Sequence, residues 1–168
     1  MIGCLVLADP NQVDATKRAV SAAKSILGVK RITLLAPEGL FNTDNAPCDV
    51  VSAPASCFSS PEAASSLLNH VAGSGKENRP THVLAPMTPF GRAVLPRAAA
   101  AASVPCVTDV IKFDGPKRLL RHAAAGRTLE TLEVNGAFAI ILVFCLFFFM
   151  IFVMYHCCLC CTDPFMLQ

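Results

Sequence analysis

The stretch THVLAPMTPFGRAVLPRAAAAASVPCVTDVIKF, residues 81–113, contains a complete strand–helix–strand pattern. THVLA (81–85) is a short apolar run, which is typical of a strand buried on both faces. FGRAVLPRAAAAAS (90–103) predicts an alanine-rich helix that can lie close to a sheet, with a kink or a junction between two shorter helices at Pro96. CVTDVIKF (106–113) predicts a second strand. Two strands joined by a helix indicate a parallel sheet.

The residues before this stretch repeat the same alternation of strands and helices. IGCLVLA (2–8) is a nearly continuous apolar run, so we expect it to be the central strand. DATKRAVSAAKSILG (14–28) has one apolar stripe at helical spacing, which predicts a crossover helix with Asp14 as its N-cap. Two further strands and a second helix are predicted at 31–36, 48–53 and 61–73.

The residues after this stretch predict a hairpin. KRLLRHAAA (117–125) and RTLETLEV (127–134) read as two strands on either side of Gly126. Together with the preceding elements they predict an α/β domain over residues 1–136. Its sheet is mostly parallel, with helices on its faces and an antiparallel hairpin at one edge.

Charge and cysteine usage exclude several classes of protein. All 14 lysines and arginines lie at or before Arg127, and the net charge of the chain is only +2, so we expect no nucleic-acid partner. Four of the nine cysteines are scattered singly and five crowd the C-terminal end, which is not the pattern of a disulfide framework. The four histidines have no metal-ligand spacing, and we expect no metal site.

Residues 81–134 carry a set of short motifs at fixed spacing. A Thr-His strand is followed by a Phe-Gly-(Arg/Lys)-x-x-x-Pro-Arg helix, a (Ser/Thr)-Asp-(Ile/Val) strand and an Arg-x-x-x-Ala-Gly hairpin. The residues in these motifs are Thr81, His82, Phe90, Gly91, Arg92, Pro96, Arg97, Thr108, Asp109, Arg121, Ala125 and Gly126. In this pattern the chain resembles the N-terminal domain of the electron-transfer flavoprotein α subunit, and the resemblance extends more weakly back to Ile2.

The resemblance implies a Rossmann-like fold, similar to that of the adenine nucleotide α-hydrolases. It also implies an electron carrier, not an enzyme, that pairs with a β-type subunit and serves acyl-CoA-type dehydrogenases in fatty acid β-oxidation in the mitochondrial matrix. No mitochondrial transit peptide is visible in the sequence. In that family FAD is held by a C-terminal domain. After Val134 this sequence shows no Gly-rich loop and no Ser/Thr-rich segment that could hold the flavin diphosphate. We therefore expect this chain to bind no FAD alone.

The motif residues have more than one interpretation. Asp109 either touches a ligand or caps a neighbouring helix. Arg97 either pairs across the subunit interface or forms a salt bridge within the domain. No catalytic residue is predicted. The family-motif or partner-interface candidates are Gly91, Arg92, Pro96, Arg97, Asp109, Arg121 and Gly126.

The last part of the chain has a different character. Residues 137–155 carry no charge, and a helix of that length would span about 28 Å, close to the hydrocarbon core of a bilayer. This predicts a transmembrane helix, followed by a Cys-rich tail over 156–168 whose candidate lipidation sites are Cys157, Cys158, Cys160 and Cys161. A soft-metal cluster is the second interpretation of the same cysteines, although adjacent cysteines do not easily form a tetrahedral site alone. Alternatively, the segment is not a functional part of the protein. Its Phe-, Leu- and Cys-rich composition is the one that results when a T-rich nucleotide sequence, such as an intron, is translated.

Two other functions remain open at this stage. A membrane anchor would make the chain a tethered α/β interaction module without redox activity. An α/β sheet of this kind can also bind an adenine nucleotide at the carboxyl ends of its strands, near a topological switch point.

Overall fold

The computed structural model describes residues 2–26, 28–41, 48–74, 80–134 and 139–143. Strands and helices alternate along the chain, and two short 3₁₀ turns at Ala55–Phe58 and Ala124–Gly126 connect them. The strands are β1 Ile2–Leu7, β2 Val29–Pro37, β3 Asp49–Ala53, β4 His82–Pro86, β5 Cys106–Phe113, β6 Arg118–Ala123, β7 Thr128–Glu133 and β8 Ala139–Val143. The helices are α1 Val13–Lys24, α2 Pro61–Ser74 and α3 Pro89–Ala102.

These strands form one sheet in the order β3-β2-β1-β4-β8-β5-β6-β7. The pairs from β3 across to β5 are all parallel, whereas β5–β6 and β6–β7 are antiparallel. The structure therefore confirms a mostly parallel sheet with an antiparallel hairpin at one edge. β1 is an interior strand between β2 and β4, as its uninterrupted apolar sequence predicts.

The core lies on both faces of the sheet. Cys4 and Val6 of β1 face the cluster that contains α1, whereas Leu5 and Leu7 face the cluster that contains α2 and α3. Burial raises the pKa of the Cys4 thiol to about 12, so this cysteine is an inert part of the core.

Helix α3 is continuous from Pro89 to Ala102. The junction between two shorter helices that we predicted at Pro96 is therefore wrong. Proline cannot donate a hydrogen bond to the carbonyl four residues earlier, which belongs to Arg92. Both residues are exposed, so water can hydrate that carbonyl and the helix can run through the proline.

The strands β5 and β6 contribute buried side chains to the core cluster on the α1 side of the sheet. β5 is irregular, because its register against β8 shifts between Val107 and Val110, and Asp109 between them has a φ of 62°. Beyond this bulge, Phe113 and Leu119 are buried in the same cluster as the residues of α1. A bulge bends its strand and increases the local twist, here at the point where the sheet changes from parallel to antiparallel pairing.

The predicted transmembrane helix over 137–155 is wrong for Ala139–Val143, which form β8. β8 pairs in parallel with β4 on one side and with β5 on the other. An apolar run fits a strand buried inside a sheet as well as a helix in lipid, and periodicity alone does not separate the two.

The remainder of that predicted helix, 144–155, and the Cys-rich tail 156–168 with its candidate lipidation cysteines lie outside the described residues. Within the described ranges, no helix is both long enough and apolar enough to cross a bilayer.

Candidate functional site

The sheet has a topological switch point between β1 and β4. From β1 the chain continues to β2 and β3 on one side, and then returns to place β4 on the other side. In open α/β sheets, ligands bind outside the carboxyl ends of the strands at such a point. Asp9 follows β1 there and Thr88 follows β4, and both side chains are buried.

The polar groups after β1 are used by the loop that begins α1. Asp9 is 2% exposed, and its Oδ1 accepts a hydrogen bond of 2.8 Å from the backbone N–H of Asn11. The N–H of Asp9 donates to Thr16 Oγ1 at 3.0 Å, and the Thr16 hydroxyl donates to the Gln12 carbonyl at 3.1 Å. Gln12 is the N-cap of α1, so the N-cap that we predicted at Asp14 is wrong.

The start of α3 is closed in a similar way. Thr88 is the N-cap, and its Oγ1 accepts a hydrogen bond of 3.1 Å from the backbone N–H of Gly91. Pro89 has no N–H to offer. Gly91, one of the motif residues, is therefore a buried part of the first turn of α3.

These two helix starts do not fit the diphosphate of FAD. A dinucleotide needs free backbone N–H donors at a helix N-terminus, usually beside a Gly-rich loop. Here the buried side chain of Asp9 lies just before α1 and already accepts the N–H of Asn11. At the start of α3, the N–H of Gly91 already donates to Thr88 Oγ1. The described residues at this edge of the sheet therefore offer no cradle for that group.

Arg92 and Asp109 are the motif residues that the fold brings together on the surface. Arg92 lies in the first turn of α3, and its Nη2 is 4.0 Å from Oδ1 of Asp109 in β5. The side chains are 61% and 36% exposed. At this distance the two groups attract each other without a hydrogen bond.

Arg97 does not join this pair. Its Nη2 lies 3.1 Å from Oε1 of Glu62 in α2, and its Nη1 donates to the Ala93 carbonyl at 2.9 Å. Of the two interpretations of Arg97 from the sequence, the structure supports the salt bridge within the domain. This ion pair joins α2 to α3.

Arg121 and Gly126 belong to the hairpin. Arg121 lies opposite Glu130 in the β6–β7 register, and its Nε and Nη2 donate to Glu130 Oε2 at 3.1 and 2.9 Å. Gly126 is the last residue of the Ala124–Gly126 turn and has a φ of 84°, a conformation that glycine adopts without strain. Both residues support the hairpin and lie apart from the buried groups at the switch point.

His82 is a polar residue of the core whose structural role sequence reasoning missed. It is 6% exposed, and its Nε2 lies 2.6 Å from the Pro116 carbonyl oxygen in the β5–β6 turn. A carbonyl can only accept, so Nε2 carries the proton. Nδ1 lies 2.9 Å from Oγ1 of Thr81. A histidine within an apolar strand was the available signal, and its partner 34 residues away was not visible.

Burial lowers the pKa of His82, and the hydrogen bond to Pro116 opposes this effect. The unfolded chain therefore binds a proton at a higher pH, near the ordinary histidine pKa of about 6.5, than the folded domain does. We expect the free energy of unfolding to fall as the pH drops below about 6.5, and His82→Gln to reduce this loss. Urea unfolding of both proteins at several pH values tests this, and identical pH profiles would contradict it.

The comparisons with known proteins agree with this architecture. The family model described as "Electron transfer flavoprotein domain" matches residues 4–143. The chain belongs to this family. The match ends at Val143, the last residue of β8, so β8 lies within the matched electron-transfer flavoprotein domain.

The similar curated proteins are α subunits of electron-transfer flavoproteins. "Electron transfer flavoprotein subunit alpha, mitochondrial" of Arabidopsis thaliana is 40% identical over 57 residues, which is 34% of this chain and 16% of that protein. The proteins of the same name from Oryza sativa subsp. indica and japonica are each 43% identical over 56 residues, 33% of this chain and 16% of theirs. The matched segment thus spans about a sixth of these relatives.

Proposed function

We propose that this chain is the N-terminal part of an electron-transfer flavoprotein α-type subunit and acts as a docking module for a β-type subunit. One structural observation carries the proposal. At the switch point, Asp9 and Thr88 form hydrogen bonds within the domain. The motif residues Arg92 and Asp109 instead lie on the surface, with their charged groups 4.0 Å apart. Such a surface suits a protein partner better than a cofactor.

In this proposal the flavin belongs to the αβ complex and is held outside the described residues. FAD supplies the electron-transfer chemistry, and the domain positions its partner. The resulting role is that of an electron carrier that accepts electrons from acyl-CoA-type dehydrogenases in fatty acid β-oxidation. The names of the plant relatives place them in the mitochondrion, and we extend that location to this chain.

The docking module in this proposal runs from β1 through β8. The family match over residues 4–143 supports this extent, because it includes the strand between β4 and β5. The division expected from the sequence, with a domain that ends at residue 136, would leave β8 outside the module.

Co-expression tests the proposed function. The full chain, with an affinity tag, is expressed together with the β subunit of a plant electron-transfer flavoprotein and purified in mild detergent, because residues 144–162 carry no formal charge. We expect the β subunit to co-purify in a 1:1 ratio. The variant Ile141→Pro, which disrupts β8, should retain none of it. A soluble β subunit that stays in the flow-through with the wild-type chain would contradict the proposal.

A further inference from the structure

The inference begins with the backbone of Asp109. Three described residues other than glycine have a positive φ, namely Ser103, Asp109 and Ala124. Ser103 ends α3 as its C-cap, and Ala124 lies in the turn of the hairpin. Asp109 is the one that lies inside a strand. A left-handed residue other than glycine costs free energy, least for asparagine and aspartate, and such residues cluster at functional sites.

The bulge does not need an aspartate. Glycine adopts this conformation without strain, and it would bend β5 equally well. The carboxylate also adds little to stability, since its ion pair with Arg92 is exposed and 4.0 Å long. The fold alone therefore does not require a charged side chain at this position.

The Arg92–Asp109 pair also differs from the other ion pairs of the motif residues. Arg97 meets Glu62 at 3.1 Å, and Arg121 meets Glu130 at 2.9 Å, so both of these arginines are held by partners within the domain. The side chain of Arg92 has the largest exposed fraction of these three arginines. Its guanidinium and the Asp109 carboxylate can turn to new partners at little cost.

We infer that Arg92 and Asp109 form a charged contact with the β-type subunit, an inference that rests on the proposed function. In the complex, the Asp109 carboxylate accepts hydrogen bonds from a lysine or arginine of the partner. The Arg92 guanidinium, with its planar array of donors, binds a carboxylate of the partner. The left-handed backbone at Asp109 sets the direction of its Cα–Cβ bond before the subunits meet, and rotation about that bond brings the carboxylate to its new partner.

The contact gains strength when the subunits exclude water from it. A charge pair that is weak in solvent becomes stronger in a desolvated interface, and removal of one member leaves its counterpart buried without a partner. We therefore expect neutralisation of Asp109 to weaken the complex on the order of thirtyfold or more, mainly through faster dissociation.

Three variants of the full chain test the inference by equilibrium binding to the plant β subunit. Asp109→Asn keeps the size of the side chain and its tolerance for a left-handed backbone, and Asp109→Gly removes the backbone strain. Both should bind more weakly than the wild type, while the melting temperature of Asp109→Asn stays close to that of the wild type and that of Asp109→Gly stays equal or rises. Glu62→Gln, which breaks the other exposed ion pair of α3, should bind as tightly as the wild type.

The outcomes separate the inference from the proposed function. If Asp109→Asn and Asp109→Gly bind within twofold of the wild type, the contact is wrong and the pairing of the subunits stands. A loss of binding by Glu62→Gln equal to that by Asp109→Asn would also overturn the inference, since any surface charge would then have the same effect. If the wild-type chain forms no complex, both proposals fail.

Discussion

Replacement of Ile141 by proline is expected to destabilise the domain strongly. Ile141 lies in the middle of β8, opposite Leu84 of β4 and Val107 of β5. Proline removes a backbone donor from a strand that is paired on both sides, and it is rarely tolerated in the middle of a sheet. We expect a loss of about 3 kcal/mol or more, a large fraction of the usual 5–15 kcal/mol for a domain.

The matched control is Ile141→Val, which keeps a β-branched side chain and the backbone donor. It should cost far less than the proline, because the strand keeps its backbone hydrogen bonds. Far-ultraviolet circular dichroism and urea unfolding of the full chain measure both variants. If Ile141→Pro unfolds at the same urea concentration as Ile141→Val, then residues 139–143 are not part of the sheet.

Leu119→Ala is the second large effect that we expect. Leu119 in β6 is 1% exposed and belongs to the core cluster on the α1 side of the sheet. Truncation of a buried leucine removes transfer free energy and leaves a cavity, at a cost of about 2–5 kcal/mol. The free energy of urea unfolding is the measurement.

Leu129→Ala is the control within the same hairpin. Leu129 in β7 is 58% exposed, so its truncation should change the free energy of unfolding by less than about 0.5 kcal/mol. Equal effects of the two substitutions would show that the hairpin does not pack on the α1 side.

The elements with local signals were predictable from the sequence. The buried strands β1 and β4 are short apolar runs, and α2 begins with Pro61 in its first turn. The hairpin was predictable because Gly126 separates two strand-like runs. These features depend on residues that are close in sequence, which is why pattern alone finds them.

The order of strands and the place of β8 depend on contacts that are distant in sequence. β8 pairs with β4, which lies more than 50 residues earlier, and every residue of β8 is apolar. A helix in lipid has the same composition, so the sequence left the transmembrane interpretation open. Pro96 lacks the N–H that would bond to the Arg92 carbonyl, as the sequence implied. The helix nevertheless continues through Pro96, because this side of α3 is exposed to water.

The site was predictable in part. The motif resemblance selected Arg92 and Asp109, and the structure places them together. It did not indicate that Asp109 is left-handed, because a bulge depends on the register between β5 and its neighbours. The ion pair of Arg97 with Glu62 required the packing of α2 on α3, which the spacing of residues does not give.

The central claim is that this domain docks onto a β-type subunit. Amide hydrogen exchange of the full chain, with and without the plant β subunit, tests it most directly. We predict slower exchange in the complex at residues 88–92, where α3 begins, and at 107–111, around the bulge of β5, with little change at 61–70 in α2. Exchange that is unchanged by the β subunit in every peptide of the chain would contradict the claim.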